Sequence, residues 1–212
     1  MFISDLPKTI PVFPLSNAIF FPNTVLPLNI FEQKYIQLVN DCMKGKRLFG
    51  MVQPRLKSNQ KDEVYNVGCL GKIITFNETK DKRFTINLSG VIRFRIKKEI
   101  ASNKLYREFN VDYSDFTSDL NTKKIDANKI KIEIFFQKIK SYLKKKNYLV
   151  EFNELEKLNI DQLLSTISMI SPFSLEEKQK LIETTNLEEK MVTLEEIINF
   201  NLFDDLENKT LQ

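Results

Sequence analysis

Histidine is absent from the 212 residues, and only two cysteines occur, Cys42 and Cys69. Without imidazole there is no Ser-His-Asp triad, Cys-His dyad, His-Glu-x-x-His zinc helix or two-His iron site. Two thiols cannot close a four-thiolate zinc site, so neither a metal nor a cofactor is expected. A phosphate loop needs glycines that let backbone donors approach the anion, then Gly-Lys followed by a hydroxyl residue. The nearest run, Gly45-Lys46-Arg47, lacks both the upstream glycine and the hydroxyl. Gly68-Cys69-Leu70-Gly71 has the wrong length for a dinucleotide loop and lies in a strand-like run. The acid pairs Glu176-Glu177, Glu188-Glu189, Glu195-Glu196 and Asp204-Asp205 are sequence neighbours. On a helix, neighbours point in different directions, so these read as solvated faces rather than an acid/base pair. Ser165, Ser168 and Ser171 have no histidine to activate them, which leaves a Ser-Lys dyad, for instance with Lys178, as the formal alternative. This inventory does not predict an enzyme.

Two basic features have the chemistry for a polyanion. Arg93, Arg95 and Lys97 alternate with Phe94 and Ile96, so the cations share one face of a strand. Farther on, Lys129, Lys131, Lys138, Lys140 and Lys144-Lys145-Lys146 follow a helical run. Basic stripes interleaved with aromatics can hold single-stranded RNA. A half-buried strand and an amphipathic helix produce the same patterns with no ligand. Nucleic-acid binding is therefore the alternative reading and not the leading one.

The elements that carry these residues fall into two groups. The first half reads as β-rich with one helix. Proline interrupts the short run Ile10–Leu15, which predicts an edge strand or an extended entry segment, and Val25–Leu28 is another short strand that carries a proline. Phe20-Phe21-Pro22-Asn23 reads as a turn. Phe31, Tyr35, Leu38, Val39 and Cys42 recur at helical spacing, with Gly45 placed for a left-handed cap. Strands are predicted over Leu48–Val52, Val67–Phe76, Arg83–Leu88, Val91–Ile96 and Tyr106–Tyr113. A hairpin turn is predicted at Asp81-Lys82 and a surface loop over residues 55–63.

The polar run of residues 114–124 reads as a boundary, with subdomains over 1–118 and 119–212. Helices are predicted from about Asp126 to Lys146 and over Leu155–Ile170. Two more start at Ser174, with Glu177 completing a capping box, and at Asn186. Net charge is +6 over residues 1–119, +7 over 120–150 and −9 over 151–212, which also separates a basic front from an acidic tail. The first residues have no secretory pattern, and no apolar run reaches the length of a membrane span. A cytoplasmic location with reduced, buried thiols follows, with no membrane association.

One combination of motifs is highly specific. Pro11-Val12-Phe13-Pro14-Leu15 is followed by Phe21-Pro22-Asn23 and then by Leu26-Pro27-Leu28-Asn29-Ile30-Phe31-Glu32-Gln33-Lys34-Tyr35. This series resembles the start of the Lon protease N-terminal (substrate-binding) domain family. Further similarity follows in order: Phe49-Gly50-Met51-Val52, Val67-Gly68-Cys69-Leu70-Gly71-Lys72-Ile73, Leu88-Ser89-Gly90-Val91-Ile92-Arg93-Phe94-Arg95-Ile96, and the helical run Ser174–Glu183. Asn23 stands where the family turn has glycine, and Asn29, Gln33 and Lys34 replace Arg, Pro and Arg.

The resemblance implies an α+β fold: a PUA-like bent β-barrel subdomain with one helix, then a C-terminal helical bundle. It implies recognition of unfolded or degron-bearing polypeptides by a module with no ATPase or protease of its own. A separate protease or chaperone would be its partner. The alternative within the family is an N-terminal fragment of a full-length ATP-dependent Lon protease. Phe20, Phe21, Asn23, Arg55 and Lys57 are the candidate peptide contacts. Pro14, Pro22, Pro27, Phe31, Glu32, Tyr35, Gly50, Gly68, Gly90, Arg93 and Phe94 are family-motif positions read as structural.

Overall fold

Strand-forming runs of the first half become β1 (Thr9–Pro14), β2 (Val25–Ile30), β3 (Leu48–Val52), β4 (Val67–Glu78), β5 (Phe84–Ile100) and β6 (Arg107–Asp112). They belong to a computed structural model that describes residues 2–55, 63–120 and 129–210, the side chains of 129–131 and 204–210 excepted. The chain divides into two units, Met1–Asn121 and Thr122–Gln212.

The strand order in the first unit is β2-β5-β4-β3-β1-β6, and β5 also pairs with β6. That extra pairing closes five strands into a ring. Strand β5 makes it possible by serving two neighbourhoods. Its second half pairs with the start of β4 and with β6, inside the ring. Its first half lies between β2 and the far end of β4, as a three-stranded extension. Register shifts at Leu70/Gly71, Ile73/Thr75 and Ile96/Lys98 bend the long strands enough for closure. The architecture is the α+β class with a bent barrel that the motifs imply.

Two expectations about strands are corrected. Arg83–Leu88 and Val91–Ile96 are not separate: Gly90 lies within the single strand β5. Gly90 stays in the ladder because its amide donates to the Thr24 carbonyl at 2.9 Å and its carbonyl accepts from the Asn23 amide at 3.0 Å. A Cβ at Gly90 would collide with the carbonyl oxygen of Phe21, so this position is a close backbone approach rather than a break. Gly90→Ala is expected to destabilise the chain by about 1–3 kcal/mol, read from the midpoint of urea unfolding. Nor is β1 an edge strand. It pairs antiparallel with β6 through Thr9–Val12 and parallel with β3 through Val12–Pro14. The two contacts are staggered, so Pro11 and Pro14 each fall where β1 has a neighbour on one side only.

Helix α1 (Gln33–Met43) buries Tyr35, Leu38, Val39 and Cys42 at helical spacing. The Tyr35 ring stacks on Phe13 with centroids 3.9 Å apart. Phe31 lies outside the helix and is 60% exposed, contrary to the expected apolar face. The left-handed residue at its end is Arg47 (φ 61), not Gly45. The Gly45 amide reaches back to the Cys42 carbonyl and tightens one further turn, so the chain reverses two residues later, where the Arg47 amide donates to the same carbonyl.

In the second unit, α2 (Lys129–Lys145), α3 (Phe152–Leu155), α4 (Ile160–Ile170), α5 (Leu175–Glu183) and α6 (Leu187–Thr210) form the bundle. Helix α6 packs on α2, α4 and α5. The core includes Phe135, Ile139, Tyr142, Leu164, Ile167, Leu181 and Ile198. The expected helix over Leu155–Ile170 is two helices, because the Asn159 side chain accepts the Gln162 amide at 2.9 Å and caps α4. The capping box forms: the Ser174 hydroxyl accepts the Glu177 amide at 3.1 Å, and the Glu177 carboxylate accepts the Ser174 amide at 2.7 Å. Ser174→Ala is expected to cost about 1 kcal/mol in thermal or urea unfolding. Among the described residues, no helix is long and apolar enough to cross a membrane.

Candidate functional site

The basic stripe of β5 is the natural starting point for a polyanion site, and the fold pairs each of its cations. Arg93 is 3% exposed. Its Nε donates to Asp119 Oδ2 at 2.9 Å and its Nη2 to Asp119 Oδ1 at 2.7 Å. The Arg93 backbone amide donates to the same carboxylate at 2.9 Å. Arg95 pairs with Asp115 at 2.9 Å and Lys97 with Asp112 at 3.0 Å. The Asp112 carboxyl is held down at about 2, by the Ser114 backbone amide first and by Lys97 after it. Phe116 is buried with the Arg93 guanidinium 4.5 Å from its ring centroid. The polar segment Ser114–Leu120, a pair of 3-10 turns, is thereby clamped onto the barrel wall. On the second stripe, Lys138 lies 3.6 Å from Glu195 and Lys140 lies 3.7 Å from Glu156. Sequence reasoning missed the aspartates. Their signal was the spacing of Asp112, Asp115 and Asp119, three and four residues apart, matching a row of three cations.

The nucleophile reading also loses its geometry. The Lys178 ammonium donates to the Met169 carbonyl at 2.7 Å, at the C-terminal end of α4, where the helix dipole favours a cation. Burial lowers its pKa. The Ser168 hydroxyl donates to the Leu164 carbonyl at 2.7 Å. Among the described residues, no hydrogen bond joins Lys178 to Ser165, Ser168 or Ser171. Cys42 and Cys69 form no disulfide and are both buried, and burial pushes Cys42 up to about 12, which keeps it protonated and inert.

The candidate peptide contacts separate by exposure. Phe20 and Phe21 are 2% and 0% exposed, which corrects their assignment as contacts. The turn that carries them is drawn onto β5 by the Gly90 bonds, and both rings go inward as core. Pro22 is buried too, and the Thr24 hydroxyl donates to the Phe21 carbonyl at 2.6 Å, locking the turn. Asn23 stands at the exposed tip with φ 60, a conformation asparagine tolerates. Arg55 is exposed, but its amide donates to the Glu63 carbonyl at 2.8 Å and its guanidinium lies over Tyr65. Lys57 lies outside the described residues.

The remaining motif positions have visible tasks. A Cβ on Gly50 would come within 2.7 Å of Phe94 Cζ, and one on Gly68 within 2.9 Å of the same atom. Gly68 is the register partner of Phe94. The two glycines are thus the space that the Phe94 ring fills. Pro14 is half-buried and Pro27 is exposed on β2. Glu32 departs from its structural reading: its side chain makes an exposed ion pair with Lys34 at 3.1 Å, while its backbone carbonyl accepts from Tyr35 and Ile36.

These assignments account for a sequence pattern shared with known proteins. Residues 9–199 match the ATP-dependent protease La (LON) substrate-binding domain. The chain belongs to this family. Lon protease 2 of Myxococcus xanthus is 26% identical over 200 residues, covering 92% of this chain and 24% of that protein. The Lon protease of Malacoplasma penetrans is 29% identical over 190 residues, covering 86% of this chain and 24% of that protein. The chain thus spans about a quarter of the length of these Lon relatives. The fold is that of the Lon N-terminal domain protein from Xanthomonas campestris, with a TM-score of 0.66 at 17% identity over 89% of this chain and 97% of that one. The N-terminal domain of Mycobacterium avium complex Lon protease gives 0.67 at 14% identity over 91% and 98%.

Proposed function

We propose that this Lon-type substrate-binding domain is a non-enzymatic recognition module that captures unfolded or degron-bearing polypeptide segments for proteolysis. The observation that carries the reading is the family match, which runs through both units, barrel and bundle alike. The paired state of Arg93, Arg95 and Lys97 supports it from the other side, since neutralised cations have little to offer a phosphate backbone. Asn23 and Arg55, the reachable members of the expected set, are proposed contacts. The proposed setting is the cytoplasm, where Cys42 and Cys69 stay reduced, with a separate protease or chaperone as partner.

The test is titration of the full chain into a fluorescently labelled, chemically denatured model protein and, in parallel, into a labelled single-stranded RNA. Binding of the polypeptide should survive a rise from about 50 to about 200 mM salt, whereas phosphate-dominated binding falls steeply over that range. Capture of RNA alone, released by salt, would overturn the reading.

A further inference from the structure

The three-stranded extension β2-β5-β4 turns one face inward, with Leu26, Ile86 and Leu88 buried. The opposite face is ordered by register. Val25 lies opposite Ser89, Pro27 opposite Asn87 and Asn29 opposite Thr85. On β4, Thr75 and Asn77 extend the last two rows, and Lys72 ends the first. All are exposed or half-exposed. Lys72, at the rim, is the one charge in this grid. In a chain that is 28% charged, such a face is depleted of charge, as the centre of a protein-binding surface is. The neighbouring half of β5 is the reverse, with Arg95, Lys97 and Glu99 all in ion pairs.

The edge of this face also has a defined hydrogen-bonding phase. The Gly90 amide donates toward β2, to Thr24, and the Asn87 amide donates toward β4, to the Thr75 hydroxyl. Because antiparallel pairs alternate, Leu26, Leu28 and Ile30 turn their peptide groups to β5, while Val25, Pro27 and Asn29 turn theirs outward. Among the described residues, no further strand pairs with β2. The open edge therefore offers two N–H groups, from Val25 and Asn29, and three carbonyls, because Pro27 has no donor.

We infer that this face and the β2 edge are where the captured segment docks, and that the segment is extended and uncharged. The inference rests on the polypeptide-recognition reading. Neutral side chains match the neutral grid, whereas a charged one laid on it loses water and finds no counter-ion. Main-chain pairing to β2 supplies affinity without demanding a sequence, as strand addition does elsewhere. Pro27 fixes register by withholding one donor.

The experiment uses the full chain and two labelled synthetic peptides of equal length. One is built from Ser, Thr, Asn and Val; the other carries alternating Lys and Glu. The uncharged peptide should bind about tenfold tighter than the charged one. Thr85→Glu and Thr85→Lys should each weaken the uncharged peptide about tenfold, and Lys98→Glu on the other half of β5 should not. Loss with both signs marks desolvation; loss with one sign alone marks distant Coulomb attraction and overturns the inference. In the unmodified chain, saturating peptide should slow hydrogen exchange at the Val25 and Asn29 amides, a readout that needs no variant. Tight binding with no protection there would mean that the segment docks elsewhere, overturning the inference while the recognition reading stands. If neither peptide nor a denatured protein binds, both fall together.

Discussion

Arg93→Ala should lower the unfolding free energy by about 3–5 kcal/mol, because it strands the Asp119 carboxylate in the interior without its cation. Both side chains are almost fully enclosed, at 3% and 8% exposure, and the carboxylate also holds the Arg93 backbone amide. The loss should be read by urea unfolding with an unchanged m-value. Replacing both partners by apolar residues of similar volume, Arg93→Met with Asp119→Leu, should recover most of the loss, since a buried ion pair rarely outcompetes good packing. Arg95→Ala, whose pair with Asp115 is solvent-exposed, should cost less than about 1 kcal/mol. If Arg93→Ala proves as mild as Arg95→Ala, the clamp on Ser114–Leu120 is not a structural element of the barrel.

Phe94→Ala should cost a similar amount, about 3–5 kcal/mol, for a different reason: it empties a volume that the sequence reserves with two glycines. The double-mutant pattern discriminates. The atoms nearest a Cβ on Gly50 belong to side chains, those of Phe94 and Ile10, so Gly50→Ala should be less harmful in the Phe94→Ala background than alone. A Cβ on Gly68 also meets the Met51 carbonyl, which is backbone and cannot retreat, so Gly68→Ala should gain no such relief. Equal behaviour of the two glycines would show that the ring is not what excludes a side chain there.

The parts legible in the sequence were those decided by near neighbours. The buried stripe of α1 follows from 3.6-residue periodicity, the Ser174–Glu177 box from two residues three apart, and the Asp81-Lys82 turn, with Lys82 at φ 62, from local turn chemistry. What the sequence concealed depends on distant partners. Gly90 looked like a strand end until residues 21–24, nearly seventy positions earlier, were seen to press against it. Arg93, Arg95 and Lys97 looked like a free basic stripe because Asp119 and Asp115 lie on a segment that, taken alone, reads as a polar linker, and Asp112 lies at the end of a separate strand. Phe20 and Phe21 looked reachable because nothing local says which way a turn will roll. Motif likeness reached further than periodicity here, since Gly50, Gly68 and Phe94 form one packing unit spread over three strands. The docking face of β2 was hidden for the same reason: its neutrality appears only when three separated strands are set side by side.

The double pairing of β1 also has a consequence in time. During synthesis its β3 side can be satisfied once residue 52 has emerged, but its β6 side must wait for Asn110. At ribosomal speeds of roughly 5–20 residues per second, the roughly hundred residues between Pro14 and Asn110 take roughly 5–20 s. Throughout that interval Ile10, Val12 and Phe13 belong to an open wall that a neighbouring nascent chain can reach. Pro11 and Pro14 then act as temporary guards, denying two of the six positions an N–H to any wrong partner until the last strand arrives and shuts the ring.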